Sequence, residues 1–172
     1  MNVDQFLGEI LRYFVALLML AAATAKLRDL AGFSANLSSL FGMGPVLRAL
    51  LAPAIALAEL AVAALLLGGQ ARAGLLAALL MLCGFTALVG YKFYTQSVVR
   101  CGCFGEAQRS LSGLDLLRNA LVIAALAAGL VLPTGGALPW HVALLAASLG
   151  LLACVIAVHF HDIVHLLSPA DG

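Results

Sequence analysis

Two cysteines separated by one glycine, in the stretch "RCGCFG" at 100–105, are the residues of this chain whose type and spacing best suit chemistry. Two residues of extended chain reach at most about 7 Å, and a disulfide holds its Cα atoms about 4.4–6.8 Å apart. Cys101 and Cys103 can therefore bridge only if the backbone bends tightly, which Gly102 permits. Such a bridge is strained, and strained bridges are readily reduced. Arg100 and Arg109 favour thiolate over thiol, and the N-terminus of a helix beginning soon afterwards acts in the same direction. The arrangement suits thiol–disulfide exchange. A structural pair, or half of a site for a soft metal such as zinc or copper, is the alternative. Zinc usually takes four ligands, and no second pair lies near enough in sequence, so no metal is expected.

The remaining polar and sulfur-bearing residues divide by their surroundings. Cys83 and Cys154 sit in apolar runs and are expected to be buried, inert thiols. Cys83 precedes Cys101 by 18 positions (101 − 83), about 27 Å of straight helix, too far to pair with it. Glu59 stands inside an apolar run, where a charge costs about 2.5–3.5 kcal/mol on insertion scales. It needs an interior partner, and Lys26 and Arg118 are the candidates, with Asn119 as a hydrogen-bonding neighbour. This set reads either as a polar cluster that tunes the cysteines or relays protons, or as a structural ion pair fixing helix register. Glu9 and Arg12, three apart, read as a simple interfacial pair. In the tail "HFHDIVH", His161 and His165 lie one turn apart and could share a metal. The reading preferred for His159, His161, Asp162 and His165 is a solvated interfacial tail.

What must position these residues is a membrane bundle. The chain has 172 residues, 64% hydrophobic and only 10% charged, against about 45–50% and about 25% in soluble domains. Its net charge of +1, without a basic stripe, gives no sign of a nucleic-acid partner. Apolar stretches at about 6–26, 45–67, 72–93, 113–132 and 140–160 each approach the 20 or so residues a membrane helix needs. Backbone groups in lipid must be satisfied internally. The prediction is therefore all-α: one transmembrane domain with a four-helix core and a fifth spanning helix. Ala23-Thr24-Ala25 resembles a signal-peptidase site, but Asp4 and Glu9 stand where a basic n-region belongs, so the first stretch reads as a retained helix. Between the first two spans, Phe33, Leu37, Leu40 and Phe41 recur at helical spacing, predicting a short amphipathic interfacial helix over 31–44. Ser112-Gly113-Leu114-Asp115 fits a capping box opening the fourth span. Ala146 and Gly150 could make a small-residue helix contact, and Trp140 with His141 an interfacial anchor.

"KLRD" at 26–29, "APAIALAEL" at 52–60, "RCGCFG", and "LSGLDLLRNALV" at 111–122 together resemble the MauE/DoxX redox-associated membrane proteins, and the C-x-C-F-G motif resembles the MauE branch. The resemblance runs over about 6–132. It implies a helical bundle in a bacterial plasma membrane, linked to thiol chemistry; no cofactor is predicted. It further implies a thioredoxin-like partner resembling MauD, and a disulfide-rich client such as methylamine dehydrogenase. Cys101 and Cys103 would then be the reactive pair. Sidedness is contested within the sequence. Lys26, Arg28, Arg48, Lys92, Arg100 and Arg109 fall on the side of the C-x-C loop, against Arg12 and Arg72 on the other, which by the positive-inside rule is cytoplasmic. Disulfide chemistry calls for the outer face, and that face is expected. The competing readings are a non-catalytic scaffold docking other redox proteins in the membrane and, further off, a transporter with a polar mid-membrane site.

Overall fold

The computed structural model of the protein describes residues 2–95, 113–134 and 138–167. Among them all regular structure is helical, in seven elements. Helix α1 (Val3–Arg28) carries Asp4 in its first turn and Lys26 and Arg28 in its last, each matched in sign to the helix dipole. Asp29 breaks the helix and begins the next: its carboxylate accepts from the Gly32 N–H at 2.9 Å, capping α2 (Leu30–Phe41). Gly42, at φ 65, closes α2 in the left-handed conformation that favours glycine. Pro45 then occupies the first turn of α3 (Pro45–Leu67), where its missing N–H costs nothing. The turn at Gly68 and Gly69 (φ 87) reverses the chain into α4 (Ala71–Thr95). Helices α5 (Gly113–Gly129), α6 (Trp140–Val158) and α7 (Phe160–Leu167) follow.

Each predicted span thus has its helix. Four of the described helices, α1, α3, α4 and α6, are long and apolar enough to cross a membrane. The fourth predicted span ends three residues early, at Gly129 rather than 132. Pro133 explains this, since the residue before a proline is pushed out of the helical region. The resulting 17 residues of α5 stand at the short end of what spans a bilayer. The predicted interfacial helix is also present, and its apolar residues Phe33, Leu37 and Leu40 are buried. They pack with Ala52 on the N-terminal half of α3, so that face is taken up by protein. Ser112 of the proposed capping box lies outside the described residues.

Helix α1 is the axis of the bundle. It packs chiefly on α3 and α6, while α4 packs on α3 and α5 on α4. Phe14, Val15, Leu18 and Met19 of α1 join Val62 and Leu66 of α3, Leu75 of α4, and Val122 and Leu126 of α5 in one core. Without a hydrophobic drive between helices in lipid, close backbone approach and dispersion supply the association. The α1–α6 seam works this way. Ala146, Gly150 and Cys154, one turn apart along α6, are its buried residues. A Cβ on Gly150 would sit 2.8 Å from the Phe14 N and 3.1 Å from the Ile10 carbonyl oxygen, so backbone meets backbone there. Gly150→Leu is therefore expected to prise α6 from α1, at a cost at or above the roughly 1–3 kcal/mol of ordinary overpacking. A thermal melt in detergent checks this; a melt like the parent's would deny the seam. Leu152→Trp, on the exposed opposite side of α6, serves as the control.

Candidate functional site: a buried ion pair over an apolar cavity

Glu59 lies past the middle of α3 and Lys26 near the end of α1, and the two helices bring them together. The Lys26 ammonium donates to both carboxylate oxygens, at 2.7 Å to Oε1 and 2.9 Å to Oε2. Lys26 is 4% exposed and Glu59 9%. An isolated charge at such a place is expensive, whereas two short charge-assisted bonds to one carboxylate recover much of the desolvation cost. Phe33 of α2 covers the pair on one side, its ring centroid 5.4 Å from the Lys26 nitrogen. The break at Asp29 is what lets α2 fold over Lys26. Local sequence and site geometry meet at that residue.

A second polar group faces the same space from α5. The Arg118 guanidinium donates to Asn119 Oδ1 at 3.2 Å, and the Asn119 amide donates to Thr86 Oγ1 of α4 at 3.3 Å. Asn119 is buried, so this bond ties α5 to α4 where apolar packing alone would leave the register loose. Lys26, Glu59, Arg118 and Asn119 all line one cavity of about 240 Å³. Its remaining wall is apolar and includes Met19 of α1, Met81 and Phe85 of α4, and Val122 of α5. The cavity is amphiphilic: the Lys26–Glu59 pair and the Arg118–Asn119 pair are set into an otherwise apolar lining.

The four residues of the expected polar cluster therefore do converge, with Lys26 as the direct partner of Glu59 and Arg118 joined to Asn119. Thr86 and Phe33 were not anticipated. A threonine inside an apolar run carries little signal, and Phe33 reads simply as part of an amphipathic face. Cys101 and Cys103, with Arg100 and Arg109, lie outside the described residues. Their connection leaves from the end of α4 and returns at the start of α5. Leu88, which lines the cavity, is seven residues before Thr95, and Arg118 is five after Gly113, about 10 Å and about 8 Å of helix. The connection is thus anchored at the end of the bundle where the cavity's polar groups stand.

Two expectations need correction. Glu9 and Arg12 form a 2.8 Å ion pair, but Glu9 is only 1% exposed, and an Arg12 Nη donates to the Leu66 carbonyl at 3.4 Å. The pair is an interior tie between α1 and the end of α3, not an interfacial one. Spacing along one helix shows that two charges can meet, and nothing of what packs above them. Cys83, expected buried, is exposed on α4, while Cys154 is buried in the α1–α6 seam. Helix α4 is apolar on all sides, so hydropathy could not tell its inner face from its outer one. In the tail, His159 faces the Asp162 carboxylate at 3.4 Å, with both side chains exposed. No cluster of metal-ligating residues occurs among the described residues, and the His165 side chain lies outside them.

Comparison with known proteins places most of this chain. Residues 4–132 match the family profile described as methylamine utilisation protein MauE. They take in α1 to α5, hence both the ion pair and the cavity. No curated protein and no solved structure matches the chain.

Proposed function

Because this chain belongs to the MauE family of methylamine utilisation proteins and is a multi-pass membrane protein with four helices long and apolar enough to span a bilayer, we propose that it is a membrane thiol–disulfide relay built on Cys101 and Cys103. The observation that carries this reading is the C-x-C pair itself, flanked by Arg100 in a connection anchored beside a buried, charged cluster. In the relay, a thiolate of a thioredoxin-like partner attacks one sulfur of the Cys101–Cys103 disulfide. A mixed disulfide forms and the other cysteine leaves as thiolate. The partner's second thiolate then displaces the bound cysteine. The partner gains a disulfide, and Cys101 and Cys103 gain two electrons and two protons. The oxidised partner goes on to form disulfides in an extracytoplasmic client such as methylamine dehydrogenase. The relay sits in the bacterial plasma membrane with its C-x-C connection on the outer face, where thiols are not held reduced.

Sidedness and redox state share one test. Intact cells are treated with a membrane-impermeant maleimide before and after reduction, with Cys83→Ala and Cys154→Ala removing the other two thiols. The expected result is labelling of Cys101 and Cys103 from outside, and only after reduction. Labelling solely from inverted vesicles, or equal labelling without reductant, would overturn the relay as drawn and favour a scaffold that docks other redox proteins.

A further inference from the structure

We infer that the cavity between α1, α4 and α5 holds an acyl chain of a bilayer lipid, which enters tail-first through a gap between α5 and α6. The inference does not involve the cysteines and stands apart from the relay reading. Three observations carry it. The first is polarity. Each charged or amide group in the wall already has a protein partner: Lys26 bonds Glu59, Arg118 bonds Asn119, and Asn119 bonds Thr86. What is left to meet an occupant includes Leu18, Met19, Ala22, Met81, Leu82 and Val122, all aliphatic or thioether. A polar ligand would lose its water there and either go unmatched or break bonds that exist, so the matching occupant is hydrocarbon. The second is size and shape. Since about 150 Å³ holds benzene, about 240 Å³ takes, in proportion, roughly ten carbon atoms. On α1 the lining runs from Leu18 to Lys26, about 12 Å of helix, so the space is drawn out along the bundle as an acyl chain is. The third is access. Helix α6 packs on α1, α1 on α3, α3 on α4 and α4 on α5, an open ring whose two ends, α5 and α6, barely touch among the described residues. Both ends line the cavity, through Val122 of α5 and Ala157 of α6. The outer rims of the gap are the exposed Leu121, Val155 and Ile156, and α6 is long and apolar enough to cross a membrane. Lipid hydrocarbon therefore stands at the mouth.

The direction of entry follows from the same wall. Helix α7 packs on both α6 and α5 and bridges them beyond the end of α6, so the way in is from the side. A free fatty acid would carry its carboxylate into a cavity that already holds Glu59 and whose cations are already bonded. The chain therefore belongs to a lipid whose headgroup stays outside at the membrane surface. Once seated, it supplies the dispersion contacts that a close-packed interior otherwise lacks there. It also braces α5, which among the described residues rests mainly on α4, against α6.

The test uses the full chain in lipid nanodiscs doped with a phosphatidylcholine that carries a diazirine near the terminal methyl of one chain. After irradiation, the sites of attachment are mapped by mass spectrometry. Label is expected on Met19 and Ala22, which are buried in the bundle and out of reach of lipid around its outside, as well as on the exposed Leu152. With the diazirine moved beside the glycerol, the label on Met19 and Ala22 should be lost. Ala157→Trp, at the half-buried rim of the gap, should likewise remove that label and leave the one on Leu152 unchanged. Should Ala157→Trp fail to fold, the two probes in the parent protein decide alone. Three results would each overturn the site: no label on Met19 or Ala22, equal label there from both probes, or label from a diazirine fatty acid but not from the phospholipid. A folded Ala157→Trp variant that keeps the inner label would overturn entry through the gap.

Discussion

Replacing Glu59 by alanine is expected to lower the thermal midpoint in detergent by on the order of 10 °C. Lys26 would then be left buried between Phe33 and the apolar wall of the cavity, with both of its short bonds gone. Removing one member of a buried pair typically costs about 3–5 kcal/mol, and in a chain of this length each kcal/mol moves the midpoint by about 2–4 °C. Replacing both, as Lys26→Met with Glu59→Leu, should recover most of that loss, since a well-packed apolar pair is often as stable as the ions it replaces. Glu59→Gln provides the functional arm. It keeps the shape and one acceptor while removing the negative charge, so client maturation should fall further than the melting temperature does. Should Glu59→Gln and the apolar double variant both retain full maturation activity, the ion pair would be a register device between α1 and α3 and nothing more.

The ion pair shows what could be read from the sequence and what could not. A carboxylate within an apolar run demands compensation, and few opposite charges were available, so Lys26 and Arg118 were identifiable as candidates from residue type and lipid physics alone. Choosing between them required the packing of α1 on α3. The spans were legible for a similar reason, because twenty apolar residues in a row have few other uses. Their inner and outer faces were not legible. In a soluble helix the polar stripe marks the outside, but on α4 the exposed Cys83 and the buried Val89 are both apolar. The Glu9–Arg12 pair failed in the opposite direction, since its i,i+3 spacing is the same at a surface as in an interior. The cavity had no signature at all. It arises because α5 is tied to α4 through Asn119 and Thr86 and stands off from α6, and such a gap is a property of the assembled bundle.

The larger effect on function is expected at the cysteines. Either Cys101→Ser or Cys103→Ser should abolish maturation of the client, because exchange needs one sulfur to receive the incoming thiolate and a second to leave. The two variants should differ in what they accumulate. Without the resolving sulfur, the mixed disulfide with the thioredoxin-like partner has no exit within the chain. One of the two variants should therefore trap that partner as a covalent adduct visible on a non-reducing gel and lost on reduction. Cys83→Ala and Cys154→Ala should mature the client normally, for two different reasons. Cys83 sits on the outward side of the apolar α4 helix, which is long and apolar enough to span a bilayer, so an aqueous partner has no access to it. Cys154 lies between α6 and α1 beside Gly150, filling space as a small apolar side chain. Its replacement by alanine removes one sulfur from a tight seam, which should shift the melting temperature slightly and leave exchange untouched. Normal maturation by the Cys101→Ser/Cys103→Ser double variant would end the relay reading. The buried cluster would then belong to a scaffold that docks other redox proteins.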